Sequence, residues 1–411
     1  MAPTQVVITG LGVVSALGAD VPAFKAALLA ARCGIGPITS IPQDELGEFQ
    51  TRVAAEIRDF DPRESFNHKD LTLFDRTTQL ATLAARQAMS DSGLELRDGK
   101  AVRTAVILGT GGGAGHAIEE NYRRLYMDRQ RRAHPMTVPK AMSNSPVSHI
   151  TMQHGATGPS FMVSSACASA SHAIGVAFQM VRSGMVDIAI TGGCEACITV
   201  GCFKAWDALR VMAPDTCRPF SKRRLGMCLG EGAAVFVIEN AAHARARGAR
   251  IHARIMGSGM SSDAKDIVLP TVEGPAAAMR FCLEDAGLDP VQIDYINAHG
   301  TGTAANDAIE TRAVRAAFGR HADKLQISST KSLHGHALGA SGALELLATV
   351  LALRDGFVPP TANFMEPDPD CDLDYVPNQA RQARLSFALS NSFAFGGHNA
   401  VLAVGSHETL Q

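Results

Sequence analysis

The sequence lacks the features that would insert it into a membrane or export it. It contains no uninterrupted run of about 18 apolar residues, the length that a membrane-spanning helix requires. Its first ten residues, MAPTQVVITG, do not have a basic segment followed by an apolar one, so we expect no secretory signal peptide. The sequence therefore predicts a cytoplasmic protein without a membrane span.

An excess of charge of one sign is also missing. The chain has 38 Lys and Arg residues against 40 Asp and Glu residues, which gives a formal net charge of −2. A protein that binds nucleic acid in general needs a surplus of positive charge to neutralise phosphates. We therefore expect no nucleic-acid partner.

Cysteine is present, but not in a disulfide pattern. The nine cysteines are odd in number and scattered among apolar neighbours, which favours reduced thiols in a cytoplasmic protein. One pair, in Cys194-Glu195-Ala196-Cys197, has CxxC spacing, but no second pair stands at zinc-ligand spacing. We interpret this pair as structural and expect no metal site.

Two parts of the chain repeat one order of elements. With 411 residues and 46% apolar content, the chain is long enough for two or three domains or for two fused halves. Each half shows a strand with a glycine turn, a helix, a second strand and a glycine-rich loop. In the first half these are the strand 5–9 with the turn 10–12, the helix 76–92, the strand 105–108 and the loop 109–115. In the second half they are the strand 251–255 with the turn 257–259, the helix 275–285, the strand 293–297 and the loop 299–303. The pattern predicts a duplicated α/β fold with two sheets and buried helices between them, divided into residues 1–250 and 251–411.

The stretch Ser160–Gly184 contains the first candidate for chemistry. An apolar strand ends at Val163, and a helical pattern follows as far as Gly184, so Cys167 stands where a strand turns into a helix. The positive end of a helix dipole favours the thiolate, which is the nucleophilic form. A buried structural cysteine is the commoner role, and this window alone leaves the two roles open.

Two histidines add to this candidate site, and a glycine-rich loop suggests a rival function. His299 and His336 each follow a predicted strand in a loop of small residues, which is where sites form in α/β folds. The loop Gly109–Ala114 fits a dinucleotide-binding pattern. The acidic residue that should end a second strand is missing, since Asp128 lies in a basic stretch instead. The pattern therefore favours a thiol–histidine site over a dehydrogenase.

Four motifs, in order along the chain, resemble those of one family. SSACAS surrounds Cys167, NAHGTGT surrounds His299, STKSLHGHALGASGALE surrounds His336, and NSFAFGGHN lies near the C-terminus. They resemble the β-ketoacyl-acyl-carrier-protein synthases of type II. The resemblance implies the thiolase fold, in which two βαβαβαββ halves form a five-layered αβαβα arrangement.

The resemblance also implies the reaction, an elongating decarboxylative condensation in fatty acid or polyketide biosynthesis. A Cys-bound acyl chain would react with malonyl-acyl carrier protein to give 3-oxoacyl-acyl carrier protein and CO2. Cys167 matches the nucleophile that accepts the acyl chain. His299 and His336 match the pair that bind the malonyl thioester carbonyl and stabilise the enolate. The alternative is a non-catalytic chain-length subunit, although such subunits lack the cysteine that this chain keeps.

Further positions match residues that support this chemistry. Lys331 matches the lysine near the second histidine, and Glu345 matches a carboxylate behind the catalytic groups. Phe395 matches a gating phenylalanine whose N–H joins that of Cys167 in an oxyanion hole. The tunnel for the phosphopantetheine arm is matched by Thr301 and Thr303. The carrier protein brings this arm, so no bound cofactor is expected.

The remaining expectations concern substrates and partners. Gly112 stands where type II enzymes carry a bulky aliphatic residue at the acyl pocket, so we expect a deeper pocket. Arg131 and Arg132 match the positions that dock the acidic carrier protein. The family forms dimers, and either a homodimer or a heterodimer with a chain-length-factor-like subunit is possible. Several segments resemble the nodulation E branch, which is associated with unusual, often polyunsaturated acyl chains.

Overall fold

The computed structural model describes residues 4–47, 49–96 and 99–407, and the ten strands that form its central sheet lie within these ranges. The first half contributes β1 (Val6–Ser15), β2 (Thr104–Gly109), β3 (Ser160–Val163), β4 (Ile188–Glu195) and β5 (Gly232–Asn240). The second half contributes β6 (Ala253–Ser262), β7 (Tyr295–Asn297), β8 (Gln326–Ser328), β9 (Phe387–Ala394) and β10 (His398–Ser406).

The strand order is the same in both halves. Across the sheet the strands follow the order β8-β7-β9-β10-β6-β1-β5-β4-β2-β3. Counted from its own first strand, each half therefore has the order 3-2-4-5-1. The second strand of each half runs parallel to its two neighbours, and the other pairs within a half are antiparallel. The predicted duplication is thus confirmed.

The halves are joined along one ladder instead of forming two separate sheets. Val6–Ile8 of β1 pairs antiparallel with residues 253–255 of β6, while the other edge of β1 pairs with β5. Because the start of β1 has a hydrogen-bonded neighbour on each side, the two five-stranded units become continuous there. The expectation of two separate sheets was wrong in this respect.

The helices form three layers around the two sheet halves. The longer ones are α1 (Val21–Leu29), α2 (Arg76–Ser92), α3 (Gly115–Tyr122), α4 (Ser145–His154), α5 (Ser169–Arg182), α6 (Val200–Ala208), α7 (Glu273–Ala286), α8 (Ala304–Phe318) and α9 (Ser341–Asp355). Helices α5 and α9 contact strands of both halves and are buried between them. Helix α2 packs on the outer face of the first half and α7 on that of the second. The layers therefore follow the predicted αβαβα order.

Shorter elements connect these layers. They are the short helices Gln43–Leu46, His68–Leu73, Thr137–Ala141, Ala241–Ala246 and Lys331–His334, the helical turns Pro62–Glu64, Ala101–Arg103, Arg123–Met127, Pro290–Gln292, Gly319–Lys324 and Leu338–Ala340, and the short strands Gly36–Pro37, Val53–Ala54, Phe357–Val358 and Arg381–Gln382. None of the helices in the described part of the chain is long and apolar enough to cross a membrane.

Two glycine segments that the sequence predicts as turns lie inside strands. Gly10–Gly12 belongs to β1, and Gly257–Gly259 belongs to β6. A Cβ atom on Gly12 would lie 1.9 Å from the Ala84 carbonyl oxygen of α2, and one on Gly259 would lie 2.1 Å from the Ala278 carbonyl oxygen of α7. These glycines therefore let a helix backbone approach a strand closely, and they do so at equivalent places in the two halves.

Candidate active site

Cys167 lies between β3 and α5, as the sequence predicts. The strand ends at Val163 and the helix begins at Ser169. Ala166, directly before the cysteine, has a left-handed backbone with φ of 49°, which is uncommon for a residue with a side chain. The Ser169 hydroxyl donates to the Ala166 carbonyl and accepts the Ser165 N–H at 2.9 Å, and these bonds hold the turn.

The buried setting of Cys167 opposes the thiolate form that the helix terminus favours. The residue is only 6% exposed, and this burial raises the pKa of its thiol to about 12. The charge of Lys331 and the backbone N–H of Phe395, which bonds to the sulfur, both act to lower that pKa. Desolvation outweighs them and the helix terminus, because a thiolate without water is costly. The resting group is therefore a thiol.

His299 follows β7 and is fixed through its backbone and its ring. Its N–H donates to Glu310 Oε1 at 2.8 Å, and the N–H of Gly300 donates to Glu310 Oε2 at 2.7 Å. Its Nδ1 lies 3.1 Å from the Nζ atom of Lys331, which also donates to the His299 carbonyl at 2.6 Å. Because an ammonium can only donate, Nδ1 is the acceptor and the ring proton sits on Nε2.

His336 reaches the same tautomer through different partners. Its Nδ1 accepts the N–H of Leu338 at 3.1 Å and lies 2.8 Å from the Ser341 hydroxyl. A backbone N–H can only donate, so the ring proton again belongs on Nε2. Burial and the nearby charge of Lys331 lower the pKa values of His299 and His336 well below the ordinary range. Both imidazoles are therefore neutral near pH 7.

Lys331 is held in place by a buried carboxylate. Its ammonium pairs with Glu345 Oε1, and neither side chain is exposed. Burial raises the pKa of Glu345 to about 7, against the lowering effect of the Lys331 charge. The lysine bridges this carboxylate and the imidazole of His299, so it holds the ring from the side opposite Nε2.

One cavity brings most of the predicted residues together. Cys167, His299 and His336 all line it, and the two imidazole rings meet nearly at right angles, with centroids 5.5 Å apart. The other predicted residues in its wall are Thr301, Thr303 and Phe395. The hydroxyls of Thr301 and Thr303 lie 2.9 Å apart. The cavity thus offers a thiol, two neutral N–H donors and a backbone N–H to one bound group.

Gly112 lies outside this wall. It is exposed, and its N–H donates to Glu195 Oε1 at 3.0 Å. Its neighbour Gly113, and not Gly112, has a left-handed backbone, with φ of 66°. Gly112 thus does not line the cavity around Cys167. It also lacks the positive φ of a tight turn, which is the usual reason for a glycine in such a loop.

Glu195 explains both the glycine-rich loop 109–115 and the CxxC pair in which it stands. Its buried carboxylate accepts the N–H groups of Gly111, Gly112 and Gly339 at 2.6, 3.0 and 3.0 Å. The glycine-rich loop that fits a dinucleotide pattern therefore binds an internal carboxylate. The flanking Cys194 and Cys197 are buried, in agreement with a structural CxxC. All nine cysteines fall within the described ranges, and all are unpaired.

Arg131 and Arg132 lie away from the cavity, exposed in the segment after the helical turn Arg123–Met127. The basic run is less uniform than its sequence indicates. Arg123 is committed to Glu45, with N–O distances of 2.7 and 2.9 Å, and Arg124 bonds to Gln130. Among the residues that the structure describes, no ion pair is formed by Arg131 or Arg132.

Sequence reasoning missed several residues that support the site. Glu310 fixes the backbone of His299, Ser341 orients His336, and Glu195 pins Gly339. Trp206 lines the cavity from helix α6. Ser341 stands five residues after His336 and Glu310 eleven after His299, so spacing along the chain could have indicated both. Glu195 is 144 residues from Gly339, and Trp206 lies in none of the four motifs, so neither had such a signal. The described residues contain no cluster of three or more His, Cys, Asp or Glu side chains that could hold a metal.

Comparison with known proteins identifies the family. The β-ketoacyl synthase N-terminal domain matches residues 4–244, and the corresponding C-terminal domain matches residues 252–365. Nodulation protein E of Rhizobium sp. (strain N33) is 50% identical over 97% of this chain and 98% of its own length. The 3-oxoacyl-[acyl-carrier-protein] synthase 2 of Coxiella burnetii is 43% identical over 98% of this chain and 99% of its own.

A solved structure gives the same result. The ishigamide ketosynthase/chain length factor superposes with a TM-score of 0.94 and 37% identity, and the match covers 99% of this chain and 100% of that one. The predicted thiolase fold and the resemblance to the nodulation E branch are thereby confirmed. The chain belongs to the β-ketoacyl synthase family, the condensing enzymes that act as acyltransferases.

Proposed function

We propose that this chain is an elongating ketosynthase. It transfers an acyl group from a carrier protein to Cys167 and condenses it with malonyl-acyl carrier protein, which gives 3-oxoacyl-acyl carrier protein and CO2. The observation that carries the proposal is the single cavity that Cys167, His299 and His336 line together. The phosphopantetheine arm of the carrier enters this cavity past Thr301 and Thr303.

In the first half-reaction, the Cys167 sulfur attacks the thioester carbonyl. The carbon–sulfur bond of the donor breaks, and the proton of the Cys167 thiol ends on the departing pantetheine sulfur. This transfer suits a nucleophile that rests as a thiol. The N–H groups of Phe395 and Cys167 stabilise the oxyanion that forms during the attack, and such donors act strongly in a site that excludes water.

In the second half-reaction, the malonyl carboxylate leaves as CO2 and its electron pair becomes an enolate. The Nε2–H groups of His299 and His336 donate to the enolate oxygen, and neutral imidazoles can do so without a metal. The enolate carbon attacks the acyl carbon, the bond from that carbon to the Cys167 sulfur breaks, and the sulfur takes up a proton from solvent. The covalent intermediate divides one difficult condensation into two easier steps.

Separate assays of the two half-reactions test this assignment. His299→Ala and His336→Ala should lose malonyl decarboxylation more than acyl transfer to Cys167. His321→Ala is the matched control, because His321 bonds to the Ile293 carbonyl and does not line the cavity. Equal loss of both half-reactions would point instead to a cysteine–histidine activation pair and would overturn these roles.

The alternative of a non-catalytic subunit is not favoured, because the chain retains all three central residues. Condensation by the isolated chain would exclude it. If the chain condenses only beside an active partner, and Cys167→Ala has no effect there, the ketosynthase proposal fails.

We propose that the carrier protein docks on Arg131 and Arg132, supported by their exposure and charge. Arg131→Glu/Arg132→Glu should raise KM for acyl-acyl carrier protein at low salt, and added salt should reduce the difference. Arg320→Glu is the control, as an exposed arginine in the other half of the chain. A KM that is the same for both variants and the wild type at every ionic strength contradicts this site.

The acyl substrate is a further proposal. Gly112 removes the side chain that pinches the pocket in type II enzymes, which favours long or rigid unsaturated chains. Since Gly112 faces outward in a single chain, this pocket would be completed by a partner subunit. Gly112→Ile should slow long acyl substrates and spare short ones. An equal loss at all lengths would refute the claim about chain length.

A further inference from the structure

Trp206, the only tryptophan in the chain, is stacked on Phe395. The ring centroids are 5.6 Å apart and the ring planes differ by 29°. Both rings line the cavity that contains Cys167, and Trp206 is half-buried. The residue whose backbone N–H reaches the Cys167 sulfur thus has its side chain held against an indole.

The tryptophan side of this pair is fixed. Helix α6 is anchored at its start, where Glu119 accepts the N–H groups of Val200 and Gly201. Near its end, Asp207 accepts the N–H groups of Gln50 and Thr51. One turn before Trp206, Phe203 is fully buried in an apolar cluster, against which Trp206 packs. The indole therefore belongs to a helix that is fixed by hydrogen bonds at both ends and by apolar packing along one side.

The phenylalanine side has the backbone of a hinge. Phe395 lies in the turn between β9 and β10, and the next two residues, Gly396 and Gly397, have φ values of 84° and 68°. The N–H of Gly396 donates to the Ile267 carbonyl at 2.8 Å, on the segment that forms another wall of the cavity. Glycines permit backbone changes that other residues resist. The stacked pair therefore joins a fixed ring to one that can move.

The surroundings of the pair are apolar. Val211 and Met227 line the cavity together with Trp206, and Val268, Leu269 and Pro270 also contribute to its wall. Two stacked aromatic rings stabilise their arrangement by more than the burial of their apolar area alone would give. A thioester that reaches Cys167 through this cavity must pass these groups.

We infer that Trp206 is a positioning and specificity-determining residue, which holds Phe395 where its N–H bonds to the Cys167 sulfur and forms part of the wall that an entering acyl thioester contacts. The inference rests on the proposed ketosynthase function. Trp206 acts through Phe395 and takes no part in the bond changes. Because the N–H of Phe395 bonds to the Cys167 sulfur, an acyl group on that sulfur should shift Phe395 against Trp206 and alter the stacking.

The single tryptophan supplies a direct measurement. When acyl-acyl carrier protein free of tryptophan acylates the full chain, the emission of Trp206 should change at the rate at which the adduct on Cys167 appears by mass spectrometry. Phe395→Leu should shift the emission of the free protein and remove the response to acylation. Complete acylation with unchanged emission would overturn the inference. If no adduct forms on Cys167, the proposed function fails first, and the two failures are thereby distinguished.

Kinetic variants separate positioning from a merely structural role. Trp206→Leu should change KM for the acyl donor about three- to tenfold, the range expected for one aromatic pair, with an unchanged melting temperature. Trp206→Phe should restore most of the effect, because it keeps a ring against Phe395. Leu209→Ala is the control, since Leu209 is exposed at the end of the same helix. If Trp206→Leu behaves like Leu209→Ala in every assay, Trp206 has no such role.

Discussion

At the scale of single residues, burial decides the charge state of the reacting groups. The cavity keeps Cys167 as a thiol and keeps His299 and His336 neutral, through the same cost of placing a charge away from water. Neutral imidazoles are what enolate stabilisation needs, since they donate from Nε2 while their Nδ1 atoms are occupied. Because Cys167 rests as a thiol, its proton leaves during the attack on the thioester and not before it.

The raised pKa of Cys167 predicts how the residue responds to pH. Its alkylation by iodoacetamide, followed by peptide mass spectrometry, should rise about tenfold per pH unit from pH 7 to pH 9 without a plateau, because the thiolate is the reacting form. Cys202 is an internal contrast, since a hydrogen bond from Cys197 lowers its pKa. A plateau for Cys167 below pH 8 would mean that the protein holds a resting thiolate.

The partner of His336 predicts a selective defect. Ser341→Ala removes the hydroxyl that lies 2.8 Å from Nδ1. Malonyl decarboxylation should fall about fivefold to tenfold, which corresponds to one hydrogen bond, while acyl transfer to Cys167 is retained. Ser341→Thr should keep part of the activity. If Ser341→Ala slows both half-reactions equally, the hydroxyl does not act through His336.

The central residues of the site were readable from the sequence because they stand in small-residue loops at strand ends. Their protonation was not readable, because it depends on burial and on Lys331, which lies 32 positions from His299. Glu195 shows the same limit, since it closes a loop from 83 residues away. Proximity along the chain reveals local geometry, whereas desolvation is a property of the folded interior.

At the scale of elements, strands crossed closely by helices explain the main error in the predicted secondary structure. Glycines usually occur in turns, but in β1 and β6 they allow a helix to pack closely on the strand, and this occurs in both halves. No pattern within either segment distinguishes the two uses, because the deciding contact comes from helices α2 and α7. Helix Arg76–Ser92, which has no such glycine, was predicted with correct bounds.

These close contacts predict that adding a methyl group to the glycine destabilises the protein equally in the two halves. Gly12→Ala and Gly259→Ala should each destabilise the protein by about 1 to 3 kcal/mol, because the added methyl would overlap a helix carbonyl. Gly115→Ala is the control, since its nearest neighbour would lie at 3.8 Å. Thermal unfolding measures all three variants. Melting temperatures of Gly12→Ala and Gly259→Ala equal to that of Gly115→Ala would contradict close helix–strand contact.

At the scale of the whole molecule, one edge of the sheet is incomplete. Strand β3 ends the ladder on the side of the first half, and Phe161 on it is 40% exposed. Unpaired edge strands tend to find a partner. We therefore expect assembly through this edge.

A charge on the edge strand tests this assembly. Phe161→Lys should shift the chain toward the monomer in size-exclusion chromatography with light scattering, because it places a charge where two strands would meet. Met185→Lys is the control, as an exposed apolar residue off the strand. A monomeric wild type, alone and beside a co-expressed chain-length-factor-like subunit, would contradict the expected dimer, and an unaffected oligomer in Phe161→Lys would place its contact elsewhere.

Intact-mass measurement after incubation with acyl-acyl carrier protein tests the central claim most directly. We predict one acyl adduct per chain, located by peptide mapping on Cys167, absent from Cys167→Ala, and lost when malonyl-acyl carrier protein is added, as 3-oxoacyl-acyl carrier protein appears. An adduct on another residue, or wild-type condensation by Cys167→Ala, would contradict the claim that this thiol carries the growing chain.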